Sequence, residues 1–361
     1  MPQDRADIKR IDNPPNPYVS AHHEWLEPPP ARVEVYEETA KSILSENDSP
    51  DIPFRWSANP YRGCQHGCAY CYARPTHEYL GFGAGTDFET RIVVKTNAAE
   101  LLDKAFSRPK WRREAVNFSG VTDCYQPVEA TYGITRACLE VCLRHRNPVG
   151  IVTRGFLIVR DVDLLAELDA VASAHVYVSI PIADAEAARL IEPQAPPPER
   201  RFEIIRRLSE AGLHVGVFIA PVIPGLNDRE IPDILRRASE AGARSASYAA
   251  LHLPGSVQQV FLDRLREAMP DRAARIESRI REMRGGVMGE SRFVRRMKGQ
   301  GAYWRSIQEL FRVAGQRYGF RDDRSSTFAQ KRLSSATLSS PTKNPHAPAD
   351  RQMLLSFGDG R

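Results

Sequence analysis

Three cysteines, Cys64, Cys68 and Cys71, stand within a short loop at the spacing C-x3-C-x2-C. Thiolates are soft ligands suited to zinc or to iron-sulfur clusters. Gly63 and Gly67 interleave with them and permit the tight backbone that three converging sulfurs need. A closed structural zinc site wants a fourth protein ligand, and His66 and His77 are the near candidates. A cluster held by three thiolates leaves one iron open, and an open metal position means chemistry. Two functions therefore follow from these residues: catalysis at an open cluster, or zinc-dependent nucleic-acid binding through Cys64, Cys68, Cys71 and one histidine. The remaining cysteines differ. Cys138 and Cys142 lie four apart on a helical stripe with Ile134 and Val141, as small core residues do. Cys124 follows Asp123 and is expected at the mouth of the site, where it could meet a reactive intermediate or simply form a wall of the turn.

The elements that must carry this loop are read from apolar periodicity. Candidate strands are Phe54 to Ala58, Ala115 to Ser119, Val149 to Thr153, His175 to Ile180, His214 to Ile219 and Ser245 to Leu251. Several are near-continuous apolar runs, the pattern of strands buried on both faces. Helical patterns run between them: Ala98 to Ser107, Thr131 to Arg146, Asp161 to Ser173, Glu199 to Ala211 and Arg229 to Ala241. Gly212 and Gly242 follow two of these as left-handed caps. About six βα units result, which implies parallel strands with right-handed crossovers in an open sheet or a complete or partial barrel. In either, chemistry belongs at the carboxyl ends of the strands.

The chain has 361 residues, 42% hydrophobic and 26% charged, which excludes collagen-like, wholly disordered and membrane-spanning classes. No run approaches the ~20 apolar residues a bilayer requires. The N-terminus has no apolar signal core, and six cysteines are too few for a disulfide framework, so a cytoplasmic protein without a membrane partner is expected. The net charge of +5 does not by itself imply nucleic acid. The organisation read here is an extended arm over residues 1–50, a catalytic unit over 51–253, a basic helical extension over 254–320 and a disordered tail over 321–361. The extension carries Arg272, Arg275, Arg279, Arg281 and Arg284, then Arg292, Arg295, Arg296 and Lys298, read as long basic helices. These could meet phosphates, yet Glu267, Glu277, Glu282 and Glu290 interleave with them as on any solvated face.

The cysteine spacing, with Tyr70 in the aromatic slot before the third cysteine, resembles the radical S-adenosylmethionine enzymes. The wider text, including PFRWSANPYRGCQHGCAYCYARPTHEYLG, TDCYQPVE, EPQAPPPERR and APVIPGLND, is similar to the spore photoproduct lyase-like branch of that superfamily. The resemblance covers roughly Ser42 to Phe311. It implies an α/β fold, a partial (βα)6 TIM-like barrel, with a [4Fe-4S] cluster on Cys64, Cys68 and Cys71. The free iron would chelate S-adenosylmethionine, whose reductive cleavage gives a 5′-deoxyadenosyl radical that abstracts hydrogen from a substrate. It also implies an electron donor of flavodoxin or ferredoxin type. DNA or RNA is the substrate class that the basic helices suggest.

The same resemblance gives further positions a cofactor-binding role, each beside a plainer one. Tyr70 would pack near the adenine, or merely within the loop. Thr122 and Asp123 offer acceptors to the methionyl ammonium, although Asp123 could instead initiate a turn. Arg154 would grip the cofactor carboxylate, or form a surface ion pair. Ser179 would sit near the ribose, or bond to backbone. Glu192 and Arg201 would brace the cofactor edge or anchor their loop, and Lys95 and His77 receive no role. The branch's hydrogen-donating cysteine aligns with Gly120, so Cys124 is the substitute candidate and repair of the spore thymine dimer is in doubt. Near the C-terminus, Gln352 to Phe357 resembles the short peptides that dock on bacterial sliding clamps.

Overall fold

The computed structural model describes residues 32–320 apart from 53, 291 and 294. The expected tail, the Gln352 to Phe357 peptide and residues 1–31 of the expected arm lie outside the described residues. Ten strands are described: β1 Glu34–Glu38, β2 Leu44–Glu46, β3 Trp56–Ala58, β4 Tyr61–Arg62, β5 Arg91–Lys95, β6 Val116–Phe118, β7 Val149–Thr153, β8 Ala174–Ser179, β9 His214–Val222 and β10 Ser245–Ala250. Seven form one sheet in the order β10-β9-β8-β7-β6-β3-β2. From β3 to β10 every neighbouring pair is parallel, and spatial order follows chain order. This is the six-unit alternation expected from the apolar runs. Val176, Val178, Val215, Val217 and Ile219 have no exposure, as inner strands covered on both faces require. The chain is thus a mixed α/β fold built on a parallel sheet.

The crossover helices follow the predicted periods closely: Ala98–Phe106, Val162–Val171, Pro198–Glu210 and Ile231–Glu240. The helix expected over Thr131 to Arg146 instead breaks at Gly133, whose φ of +63° is left-handed, leaving Glu129–Tyr132 and Ile134–His145. Cys138 and Cys142 lie on its buried stripe with Leu139 and Val141, all in the main core.

Two features depart from the sequence reading. Residues 32–50, expected as an arm, contribute β1 to a second sheet of order β1-β5-β4 and antiparallel β2 to the main one. Among the described residues from Arg292 to Lys298, expected as basic helix, bends and turns stand in place of a helix. Arg284 explains it: buried at the end of helix Pro270–Met283, its guanidinium donates to the carbonyls of Arg295 (3.0 Å), Lys298 (2.7 Å), Arg296 (2.8 Å) and Leu251. These bonds pin the segment against the end of that helix, and the Arg295 carbonyl also takes the Lys298 amide (3.0 Å) in a turn. Among the described residues, no helix is long and apolar enough to cross a membrane.

Candidate active site

The cysteine loop does not follow β3 directly. The chain leaves the main sheet at β3, pairs through β4 with β5 of the small sheet, and only then turns through Gly63 (φ +76°) and Gly67 (φ +65°). A side chain at either glycine would collide: a Cβ on Gly63 meets His77 Cε1 at 2.8 Å, and one on Gly67 meets Glu89 Oε2 at 2.8 Å. Both positions therefore need glycine for space as well as for φ.

Two buried side chains hold the loop. Arg74, with no exposure, donates through Nε to the Cys68 carbonyl (3.0 Å) and through Nη1 to Ala84 (2.9 Å) and Gly85 (2.8 Å). Its Nη2 reaches the Gly67 carbonyl (3.1 Å) and Glu89 Oε1 (2.6 Å). All five guanidinium N–H groups are thereby used. Gln126 closes the other end, accepting from the Gln65 amide (2.9 Å) and donating to the Gly63 carbonyl (3.1 Å). Sequence reasoning singled out neither residue, since nothing local separates a buried arginine or glutamine from an exposed one.

Cys64 and Cys68 are buried and Cys71 is half-buried, and all three are free thiols. Burial pushes each one up, and the Asp123 charge, then the neighbouring thiols, push Cys64 further. Cys68 is raised to about 12 by burial, against the pull of Arg154. The metal-free loop therefore holds protonated sulfurs at neutral pH, and loading a metal there releases protons. Among the described residues, no three His, Cys, Asp or Glu side chains are gathered closely enough to hold one metal ion. Each candidate fourth ligand of a zinc site has one ring nitrogen beside another group, and among the described residues His77 Nδ1 is buried without a hydrogen-bond partner. His77 Nε2 lies 2.7 Å from the Arg91 carbonyl, with its ring against Phe82 and Phe88, and burial lowers its pKa to about 4. His66 Nδ1 lies 3.4 Å from Asp123 Oδ2.

The strand ends gather most of the sequence-predicted residues around Cys68. Arg154, just past β7, donates through Nη1 to Cys68 Sγ (2.9 Å) and the Tyr70 hydroxyl (2.9 Å), and through Nη2 to Ser179 Oγ (3.1 Å) at the end of β8. Glu192 completes the group: one oxygen takes Arg154 and the Tyr70 hydroxyl, and the other pairs with Arg201 Nη2 at 2.6 Å. Its carboxyl is held below the usual range because the two guanidinium groups outweigh its burial. Arg201 also anchors its own loop, donating through Nε to the Pro196 carbonyl (2.7 Å), so the pair serves the loop as well as meeting Arg154.

Asp123, past β6, accepts from Thr153 Oγ1 (2.6 Å), the Arg154 amide (2.8 Å) and, two residues on, the Tyr125 amide (2.9 Å). Burial raises its pKa, but the charge of His66 and these donors hold the carboxyl far below the ordinary range. The bond to Tyr125 makes a side-chain turn, and both carboxylate oxygens are occupied. Thr122 is buried beside it, its hydroxyl 3.4 Å from the Tyr61 carbonyl. Cys124, expected at the mouth, has no exposure and belongs to the main core. Its amide bonds to Ser119 Oγ (2.9 Å) and its carbonyl takes the Thr135 hydroxyl (2.7 Å). The turn made by Asp123 sends the next residue inward, and burial raises the Cys124 thiol well above its usual pKa. Lys95, on β5, belongs to the second sheet.

The outer side of the site is aromatic and basic. Tyr72, about half exposed, reaches the Gly120 carbonyl, and Arg296 lies over the ring of exposed Phe293 at 4.6 Å while pairing with Asp51 at 2.7 Å. Much of the basic extension is spent within the chain: Arg279 pairs with Glu282, Arg292 with Glu290, and Arg266 with Glu277.

Residues 58–238 match the family model of the Radical SAM superfamily. An uncharacterized protein of Mycobacterium tuberculosis is 41% identical over 197 residues, 54% of this chain and 58% of that protein. One of Methanocaldococcus jannaschii is 30% identical over 200 residues, 55% of this chain and 72% of that protein. The chain thus matches 58% of the length of its mycobacterial relatives. Among solved structures, spore photoproduct lyase complexed with dinucleoside spore photoproduct aligns with a TM-score of 0.57 at 13% identity, covering 79% of this chain and 80% of that one. At that identity the likeness shows the fold.

Proposed function

The chain belongs to the radical SAM superfamily, and from that premise we propose that Cys64, Cys68 and Cys71 hold a [4Fe-4S] cluster whose open iron takes S-adenosylmethionine. One observation carries the reading: Cys64 and Cys68 are buried and Cys71 half-buried on a single loop held by Arg74 and Gln126, with the charges of Cys68 and Cys71 felt at Cys64. When bound, the cluster supplies the electron that splits the sulfonium, and hence the means to take hydrogen from a substrate.

The protein's own residues bind, orient and exclude water. Arg154 presents a fixed guanidinium to a ligand carboxylate, with Ser179 beside it for a sugar hydroxyl. Tyr70 is locked by Glu192 and Arg154, and its ring gives the adenine a wall. The Thr122 hydroxyl is an acceptor for an ammonium, while Asp123 acts by holding the strand end in place. Cys124, with no exposure and its backbone held by Ser119 and Thr135, is given no hydrogen-donor role in this reading. Electrons come from a protein of flavodoxin or ferredoxin type.

Anaerobic reconstitution is expected to give a brown protein with about four iron per chain that releases 5′-deoxyadenosine when reduced with S-adenosylmethionine. A colourless protein with stoichiometric zinc would overturn the reading.

Nucleic acid is the substrate class supported by Tyr72, Phe293 and Arg296 at the site's outer edge, because exposed rings and guanidinium planes stack on unpaired bases. Oligonucleotide affinity that does not change between low and moderate salt would remove that support. A sliding-clamp contact through Gln352 to Phe357 rests on the sequence alone.

A further inference from the structure

The buried charges behind Cys68 form a unit that a ligand-binding role for Arg154 does not use up. Among the described residues, Cys68 Sγ is the one thiol of the three to receive a guanidinium hydrogen bond, at 2.9 Å from Arg154 Nη1. The same guanidinium is ion-paired to Glu192, whose side chain has no exposure. Arg201 pairs with the other Glu192 oxygen and is itself fixed by the Pro196 carbonyl (2.7 Å) and the Ser179 carbonyl (3.4 Å). The segment carrying Glu192 is clasped to the cysteine loop on both sides: the Ala69 amide donates to Ile191 (2.9 Å) and the Gln194 amide to His66 (3.3 Å). Cys68 and the charges behind it therefore keep a fixed spacing.

From this geometry we infer that Arg154, fixed by Glu192 and Arg201, sets the reduction potential of the cluster, in addition to any contact with a bound ligand. The inference rests on the proposed cluster at Cys64, Cys68 and Cys71. Two cations and one anion leave a net positive charge at the sulfur. Reduction adds negative charge to the cluster, so a charge-assisted donor on a ligating sulfur stabilises the reduced form and raises the potential. Glu192 offsets part of that effect while holding the donor in place. The unit thus biases the cluster toward accepting an electron before any ligand arrives.

The test is the midpoint potential of the reconstituted full-length protein, followed anaerobically by visible absorbance and electron paramagnetic resonance, with S-adenosylmethionine absent. Arg154→Gln is expected to lower the potential and Glu192→Gln to raise it. Each change should reach about a tenfold shift in the reduced-to-oxidised ratio at a fixed applied potential, or about 59 mV for a one-electron couple. The double variant should return toward the wild type. Arg154→Lys keeps the charge without the fork and is expected between wild type and Arg154→Gln; it decides the matter should the glutamine variant fail to load iron. Shifts of the same sign in both single variants would mean local damage and overturn the inference. A wild-type potential in Arg154→Lys or Arg154→Gln would do the same. Failure of the unmodified chain to bind an iron-sulfur cluster would instead sink the underlying cluster reading.

Discussion

Arg74→Lys keeps the charge at a position where charge is not the main requirement. The native guanidinium places five N–H donors on five acceptors: the carbonyls of Gly67, Cys68, Ala84 and Gly85, and the Glu89 carboxylate. An ammonium carries three donors, so at least two of these acceptors lose their partner. Each buried polar group left unsatisfied costs about 1–3 kcal/mol, which puts the substitution at about 2–6 kcal/mol. That is a large part of the ~5–15 kcal/mol a native protein has to lose. Two of the acceptors are backbone carbonyls inside the cysteine loop itself, so the damage should also appear as poor metal uptake. The assay is urea unfolding of the metal-free protein under reducing conditions, paired with iron per chain after reconstitution. A variant within about 1 kcal/mol of wild type that still takes up a full complement of iron would refute the claim that Arg74 holds the loop by its donor count.

Two further predictions concern the groups around the thiols. His77→Ala should leave iron content unchanged, because the ring faces the Arg91 carbonyl and two phenylalanines; metal analysis showing lost iron or bound zinc would contradict this. Asp123→Asn should flatten the acid limb of stability. The folded carboxyl is depressed, so its contribution is complete above the unfolded value of about 3.9 and is lost as the pH falls through the lower folded value. Urea midpoints measured from neutral pH down into this acid range should converge for wild type and variant at the acid end, and parallel curves would count against the assignment.

The parallel units were legible because inner strands must be apolar on both faces and their helices on one; Val149–Thr153 coincides with its expected bounds, and Ala98–Phe106 departs by one residue. The cysteine loop was legible because thiol spacing and flanking glycines are local signals. The small sheet was not. β1 reads EVYEE, mostly exposed, and becomes a strand only through its parallel pairing with β5, a partner more than fifty residues away. The resemblance put Arg154, Glu192 and Arg201 near a cofactor, but their convergence behind one sulfur, Cys68, emerges only from the fold. The basic run from Arg292 to Lys298 misled for a related reason: its composition suits a helix, but the distant Arg284 ties three of its carbonyls to one guanidinium.

Among the described residues, the main sheet ends in β10 on one side and in the three-residue antiparallel β2 on the other, and these two strands do not pair with each other. A sealed cylinder would admit only what fits down its axis. Here the remaining gap is spanned by the turns that follow Arg292: the Met297 carbonyl takes the Ala250 amide (3.4 Å) at the end of β10, while Arg296 reaches Asp51 (2.7 Å) and Ser49 (2.8 Å) a few residues past β2, so a latch of side chains and turns stands where a closed cylinder would have a strand ladder.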